Sequence, residues 1–297
     1  MGIKSDPAES DMNSLDTFNH YHRLLFGIAY RMLGSVTDAE DMVQETFLRW
    51  QHTPQTKVQS AKNYLATTIT RLCIDHLRSA RVRREQYVGP WLPEPLLTQQ
   101  DPAEQVELAD SLSIAFLVML ERLSPIERAV FLLREVFEYD YPEIAQIVDK
   151  SAENCRQILR RARQHLATDR PRFPVSPQQQ EQITTQFLDA SSHGNLQGLL
   201  ALLAPDVSFW SDSGGQVPAA LKPIYGSQKV ARFLLTIQQK WLPTAIAHII
   251  EINGQSSILI RSGSDIHSIM TFEIVESYIQ AIYSVRNPEK LRRLIGQ

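Results

Sequence analysis

Cysteine is scarce in this 297-residue chain: only Cys73 and Cys155 occur, far apart and each inside an apolar helical pattern. Neither has a partner at metal-ligand spacing, so a disulfide framework or a zinc site is not expected and buried free thiols are the default. Long hydrophobic runs are also missing. No apolar stretch is long enough to span a bilayer and the polar start has no signal-peptide pattern, which points to a cytoplasmic protein. Nor does one sign of charge prevail, because 30 Lys and Arg stand against 33 Asp and Glu for a formal net charge of −3. A uniformly basic, nucleic-acid-coating chain is thereby excluded, and any contact with nucleic acid must come from local patches. What remains is 43% hydrophobic and 21% charged, an ordinary globular balance with length enough for two or three cores.

The charges are segregated. Arginines gather at Arg78, Arg81, Arg83 and Arg84 and again from Arg156 to Arg172, whereas acids gather at Asp38–Glu45 and Asp101–Asp110. One surface suited to nucleic acid and another suited to a basic protein partner are expected from such a division.

The most informative stretch runs from Leu123 to Leu166. Ser124, Pro125 and Glu127 form a capping-box start, and Asp140 with Glu143, then Ser151, supply two more helix caps. Only Asp149-Lys150 separates the last two helices, with Asp149 at a turn position that needs left-handed backbone. Ile144, Val148, Cys155 and Ile158 are spaced to pack the pair together around the small Ala145. This spacing predicts a helix-turn-helix. The free face of its second helix presents Ser151, Ala152, Glu153, Arg156, Gln157 and Arg160. Arg reads guanine edges, Gln reads adenine and Glu accepts from cytosine; Arg161, Arg163 and Arg170 suit phosphates. A solvated arginine-rich helix is the plainer alternative.

Taken in order, residues Met1–Ser14 are polar and expected to fray. A helical stripe of Leu24, Leu25, Ile28, Ala29 and Met32 ends at Gly34, a C-cap candidate. Thr37 and Glu40 predict a capping box for a second helix through Trp50, with Ala39, Val43, Phe47 and Trp50 on one face and Asp38, Asp41, Gln44, Glu45 and Leu48 on the others. A third helix, Ala61 to about Arg84, offers Tyr64, Leu65, Ile69, Leu72 and Cys73 to the core and ends in the basic run Asp75–Arg84, suited to single-stranded or distorted DNA. The Pro-rich segment Glu85–Gln100 is semi-rigid, and its Trp91 and Leu92 are expected to dock on a domain surface. Asp101, Pro102 and Glu104 are read as the cap of a fourth helix. After a boundary at Arg172–Pro177 come helices Gln178–His193, Leu196–Leu203 and Ser227–Trp241, a strand Val207–Ser211, and strands 245–252, 256–261, 267–275 and 278–285. Asn253-Gly254 is a hairpin signal. Together these describe an α+β domain with a curved antiparallel sheet wrapped on helices.

On these residues the chain resembles the extracytoplasmic-function (ECF) branch of the sigma-70 family of bacterial transcription initiation factors, over nearly its whole length. Asp38 to Phe47, read DAEDMVQETF, looks like the helix that binds the coiled coil of the polymerase β′ subunit, which implies Asp38, Asp41, Gln44, Glu45 and Leu48 as polymerase contacts. Leu123-Ser124-Pro125, Arg128–Glu135 and the helix-turn-helix look like the domain that reads the −35 element, with the β flap as its polymerase partner. By position, Asp75, Arg78, Ser79, Arg81, Arg83 and Arg84 resemble the segment that takes the −10 element. The resemblance implies two all-α domains, 15–86 and 104–172, joined by a linker at 87–103, with a cone-shaped α+β domain at 176–297.

The tail narrows the subgroup. Trp91-Leu92-Pro93-Glu94-Pro95 and Asn287-Pro288-Glu289-Lys290-Leu291 look like signatures of ECF factors with a fused SnoaL-like domain that modulates activity in cis. Trp91, Asp212, Asn287, Pro288 and Lys290 are its implied interdomain and regulatory residues. A loop that in the subgroup reads Asp-Gly-Gly-Gly-Lys is here Asp212-Ser213-Gly214-Gly215-Gln216, one Gly fewer and without the Lys. Core RNA polymerase and promoter DNA are the expected partners, a small ligand in the C-terminal domain is compatible with the fold, and no cofactor, metal or catalytic residue is expected. The competing reading is a helix-turn-helix regulator whose SnoaL-like domain senses a ligand or acts as an enzyme through Asp212, His248 or His267 beside Phe209 and Trp210. A repressor needs neither the acidic helix nor the separate basic segment, and a histidine on an alternating strand is more often structural than a base.

Overall fold

The structure, a computed structural model, describes residues 14–54, 58–98, 112–166, 175–241, 245–263 and 265–294, with the side chains of residues 80–85 and 241 left aside. The chain divides into two compact units, Met1–Arg83 with Leu120–Thr168 and Arg84–Met119 with Asp169–Gln297. This grouping in space cuts across the order of the sequence. The two helical segments expected as separate domains share one unit, and the Pro-rich segment belongs with the C-terminal fold.

The first unit is helical. Its first helix, α1 (Ser14–Leu33), buries Leu25, Ile28, Ala29 and Met32, and Gly34 ends it at φ +66. The next, α2 (Val36–Gln51), is capped by Ser35, whose hydroxyl accepts from the Asp38 N–H. The expected cap at Thr37 is therefore corrected. Both residues are followed three positions later by an acid, but Val36 is buried and belongs inside the helix. Trp50 is fully buried and satisfies its indole N–H on the Ser14 carbonyl at 2.7 Å. The long α3 (Ala61–Glu85) buries Leu65, Ile69 and Cys73; Tyr64 and Leu72 are only half-buried. The cap expected at Asp101–Glu104 lies outside the described residues, and the next described helix, α4 (Ile114–Leu120), falls in the second unit but for its last residue.

Three helices follow: α5 (Pro125–Glu135), α6 (Tyr141–Val148) and α7 (Ala152–Leu166). Ser124 and Glu127 close the expected capping box, and Glu143 accepts from the Asp140 N–H at 3.0 Å. Asp149 adopts φ +54, ψ +56, and the Lys150 N–H reaches back to the Ala145 carbonyl at 3.0 Å. Ile144, Val148, Cys155 and Ile158 are buried between the helices, so the helix-turn-helix forms by the packing its sequence specifies. It is tied to α1 and α3 within the same unit. Arg128, 3% exposed, donates to the Met32 carbonyl at 2.7 Å and to Glu121 Oε1 at 2.8 Å. Arg71 donates to the carbonyls of Gln146 and Ile147, and Asn63 to Glu143 at 3.3 Å.

The second unit is a single curved sheet covered on both faces. Helices α8 (Pro177–Ser192) and α9 (Leu196–Leu202) precede β1 (Leu203–Asp212), the short β2 (Ile224–Tyr225) and α10 (Ser227–Trp241). Strands β3 (Ile246–Ile252), β4 (Gln255–Ser262), β5 (Asp265–Val275) and β6 (Tyr278–Val285) then meander, and α11 (Pro288–Leu291) closes the chain before a 3-10 turn at Arg292–Leu294. The order is β2-β1-β6-β5-β4-β3. One pair departs from the antiparallel expectation: β1 runs parallel to β6, with Phe209 opposite Ile282 and Asp212 opposite Val285. The crossover through α10 and the meander brings β6 back in the direction of β1.

On one face Phe187, Phe209, Phe272, Val230 and Ile282 fill the space under α8–α10. On the other, Leu92 of the Pro-rich segment joins Ile114, Leu259, Ile269, Tyr283, Val285 and Leu291. Leu92 is 0% exposed, and burying a leucine stabilises by roughly 1.5–3 kcal/mol. The Asn253-Gly254 hairpin has positive φ at both residues. Asn253 also holds the Pro-rich segment, accepting from the Leu96 N–H at 2.9 Å and donating to the Leu112 carbonyl at 2.8 Å.

Candidate functional site

Ser151 starts α7 by accepting from the Asn154 N–H at 3.1 Å. One side of the helix turns Cys155, Ile158, Leu159 and Ala162 inward. The opposite side leaves Ser151, Glu153, Arg156, Gln157 and Arg160 exposed and Ala152 half-exposed. All six predicted base-reading residues thus share one solvent-facing surface. Arg156 is already oriented: its Nη1 donates to Glu153 Oε2 at 3.3 Å, and its guanidinium lies 5.0 Å from the Tyr141 ring centroid. Arg163, expected on a phosphate, donates to Glu135 Oε1 at 2.6 Å, an exposed pair of small net worth. Arg170 lies outside the described residues.

On α3, Asp75 accepts from Arg78 Nη1 at 3.2 Å and the Ser79 hydroxyl donates to the His76 carbonyl at 2.8 Å. Asp75, Arg78 and Ser79 are exposed. The side chains of Arg81, Arg83 and Arg84 lie outside the described residues. Burial pushes the neighbouring Cys73 thiol upward, with the charge of Asp38 adding to it, so this cysteine stays a neutral core residue. On α2, Asp41 and Gln44 are exposed and Leu48 is 44% exposed. Glu45 pairs with Arg49 at 2.8 Å. Asp38 leans instead toward His76 at 3.6 Å, which sets it apart from the rest of the acidic face.

A different kind of site lies in the second unit. Asp212 is 0% exposed, yet every oxygen of its side chain is satisfied. Oδ1 accepts from the Tyr87 hydroxyl and from the Gly214 N–H at 3.1 Å. Oδ2 accepts from the Leu92 N–H at 2.8 Å and from Lys290 Nζ at 2.7 Å. The Asp212 carbonyl takes the N–H groups of Arg286 and Asn287. Lys290 in turn donates to the Leu92 carbonyl and stands 4.2 Å from the centroid of the Trp91 ring. Asn287 caps α11 by accepting from the Glu289 N–H, places Pro288 at its first turn and donates to the Tyr87 hydroxyl at 2.9 Å. A buried ion pair is tolerable only when its remaining donors and acceptors are occupied in this way.

Trp91, Asp212, Asn287, Pro288 and Lys290 are therefore gathered at one place. Tyr87 was missed as a member, because a tyrosine in a Pro-rich segment carries no sequence signal for a partner so far along the chain. Burial raises its phenol, and the hydrogen bond and charge of Asp212 raise it further. The altered loop keeps its two remaining glycines where the backbone needs them. Gly214 has φ +57, and a Cβ there would stand 2.6 Å from Asn287 Nδ2; Gly215 has φ +74, with Val88 Cβ at 3.1 Å. Gln216 carries no charge, and the cation paired with Asp212 is Lys290 of the tail.

The residues weighed for acid–base chemistry are not assembled. His248 is exposed on β3, Asp212 is committed to Lys290, and His267 Nε2 is 2.9 Å from Arg286 Nη2. Among the described residues no hydrogen bond links Asp212 to either histidine. Among the described residues, too, no group of three or more His, Cys, Asp or Glu could hold a metal ion, and no helix is long and apolar enough to cross a membrane.

Comparison with known proteins agrees with this geometry. Residues 17–83 match the Sigma-70 region 2 family and residues 113–166 match Sigma-70, region 4. The ECF RNA polymerase sigma factor SigJ of Mycobacterium tuberculosis is 34% identical over 286 residues, covering 92% of this chain and 91% of the relative. A probable ECF RNA polymerase sigma factor of that species, SigI, is 33% identical over 271 residues, covering 90% and 91%. The crystal structure of M. tuberculosis SigJ superposes with a TM-score of 0.76 at 30% identity, over 94% of this chain and 98% of that one, C-terminal domain included. With both helical segments, the helix-turn-helix and the fused α+β domain accounted for, the chain belongs to the extracytoplasmic-function RNA polymerase sigma factors, the proteins that direct promoter-specific initiation of transcription.

Proposed function

We propose that the C-terminal domain modulates this sigma factor in cis by holding the Pro-rich segment that connects its two promoter-reading parts. The observation that carries this reading is the Asp212 carboxylate, which binds Tyr87 and Leu92 of that segment and Lys290 of the tail at once. A segment anchored by a buried ion pair, by Leu92 and by Asn253 has little freedom in length or direction. The C-terminal domain thus sets the reach between region 2 and region 4.

Within the same reading, Asp41, Gln44, Glu45 and Leu48, with Asp38 at the edge, dock on the polymerase β′ coiled coil, while the region 4 unit meets the β flap. Ser151, Ala152, Glu153, Arg156, Gln157 and Arg160 read the −35 element, and Asp75, Arg78, Ser79, Arg81, Arg83 and Arg84 take unstacked bases of the −10 element. The sigma parts span 15–86 and 104–172, the linker 87–103 and the regulatory domain 176–297. Exposed Arg and Gln on one helix face suit base edges, and acidic exposed residues around a protruding leucine suit a basic protein groove.

Run-off transcription with purified core polymerase and a cognate promoter tests cis-control. Asp212→Asn, Lys290→Met and a chain ending after Pro177 are each expected to change the yield of initiated transcript. Equal yields from all four proteins, at equal occupancy of polymerase, would overturn it.

A further inference from the structure

Three helices of the region 4 segment converge on one aromatic ring. Tyr141, the first residue of α6, has the guanidinium of Arg156 of α7 at 5.0 Å from its centroid and that of Arg134, in the last turn of α5, at 5.2 Å. Arg134 is anchored independently, donating to the Tyr139 carbonyl at 3.0 Å and to Asp140 Oδ1 at 3.3 Å. Arg134 is thereby tethered beside the ring by partners of its own. The other partner of Arg156 is Glu153, one helical turn back at 3.3 Å, and both members of that pair are more than half exposed. Glu153 is itself exposed on the same face of α7.

We propose that Tyr141 is a positioning residue for promoter specificity: its ring holds the Arg156 guanidinium in the orientation from which α7 offers it to a −35 base pair. This rests on the reading of α7 as the −35 helix. An arginine has many rotamers, and those incompatible with a bidentate base contact must be given up on binding. The face of an aromatic ring attracts a guanidinium and limits those rotamers before DNA arrives. Tyr141 itself makes no base contact in this scheme. It acts through Arg156, while Arg134 keeps the ring from turning away. The ring, not the hydroxyl, does the holding; the hydroxyl has no hydrogen-bond partner among the described residues.

The test uses the full chain with core polymerase and a promoter set carrying every single base change across the −35 element. Transcription is measured for the native protein, Arg156→Ala, Tyr141→Leu and Tyr141→Phe. Tyr141→Leu retains apolar bulk without a π-face, and its melting midpoint shows whether it folds as the native chain does. Discrimination at the one position that Arg156→Ala relaxes is expected to fall about two- to five-fold in Tyr141→Leu, the scale of an exposed cation–π contact. Other positions and the salt dependence stay as in the native protein, and Tyr141→Phe keeps native discrimination. An even loss at all positions, an unchanged Tyr141→Leu, or a Tyr141→Phe that matches Tyr141→Leu each overturns the role of the ring. Arg156→Ala without a position-specific effect overturns the reading of α7 itself, and because that protein carries the native Tyr141, the two failures are told apart.

Discussion

Arg71 of α3 closes the first helix of the helix-turn-helix: its Nε donates to the Ile147 carbonyl and its Nη2 to the Gln146 carbonyl, both at 2.8 Å. A guanidinium at the last carbonyls of α6 satisfies acceptors that the helix cannot and meets the negative end of its dipole. Region 2 is in this way bonded to region 4 at the backbone, inside one compact unit. Arg71 is exposed, so solvent shares the work. Arg71→Ala is expected to lower the stability of the full chain by about 0.5–1.5 kcal/mol, read as a lower urea midpoint at unchanged slope. A midpoint equal to the native one would mean that water replaces the guanidinium without loss.

Arg128 makes the contrasting case. Its guanidinium is buried and joins the Met32 carbonyl at the end of α1 to Glu121. Arg128→Ala leaves a capped carbonyl bare and Glu121 without this cation. The loss is expected at about 3–5 kcal/mol, the range for breaking a buried pair by removing one partner. Arg128→Lys recovers only part of it, because one ammonium does not reproduce the planar fork. Denaturant midpoints of the three proteins should rank native, then Lys, then Ala, and a Lys variant as stable as the native chain would reduce the role to charge alone.

How much of this was legible in the chain depends on the distance over which each feature is decided. The capping box at Ser124–Glu127 and the left-handed Asp149 are settled within a few residues, and both are where the sequence places them. The start of α2 was misplaced because Ser35 and Thr37 satisfy the same local pattern, and only burial of Val36 separates them. The base-reading face of α7 follows from helical period once Cys155 and Ile158 are recognised as inward. The Asp212 hub was accessible only through family resemblance. Its side-chain partners Lys290, Leu92 and Tyr87 lie 78 to 125 residues away in sequence, where no periodicity reaches. Likewise the parallel β1–β6 pairing is decided by the crossover and not by either strand. Part of the joining of regions 2 and 4 in one unit is made by Arg71 and Arg128 on backbone carbonyls, contacts that leave no side-chain pattern to read.

Asp149 holds its turn at a cost in backbone strain. With φ +54 and ψ +56 it occupies a region in which glycine is unstrained. Asp149→Gly is expected to stabilise by about 0.5 kcal/mol, the relief of the left-handed penalty being opposed by the greater freedom of the unfolded chain. Asp149→Val, β-branched at the same φ, is expected to cost about 1–3 kcal/mol. Melting midpoints of the two variants on opposite sides of the native value would confirm the turn. Equal midpoints would show that α6 and α7 are joined by a different backbone.

His267 gives the fold a pH dependence whose sign can be worked out. Its Nε2 faces the Arg286 guanidinium at 2.9 Å and its Nδ1 is 3.4 Å from the Ser268 hydroxyl; Arg286 also donates to the Pro218 carbonyl. A ring nitrogen that accepts from a cation must be unprotonated. Burial, and then the charge of Arg286, push the imidazole down to about 4, against about 6.5 in an unfolded chain. Between these values the unfolded state binds the proton and the folded state does not, so stability falls as pH falls. The contribution is fully present above about pH 6.5 and is lost progressively toward pH 4. His267→Gln keeps an acceptor for Arg286 and removes the titration. Between pH 7 and 4.5 the melting midpoint of the native chain should therefore drop more steeply than that of His267→Gln, with the gap between the two curves opening below pH 6.5. Parallel curves over that range would place the His267 ring in solvent, protonated as freely as in the unfolded chain.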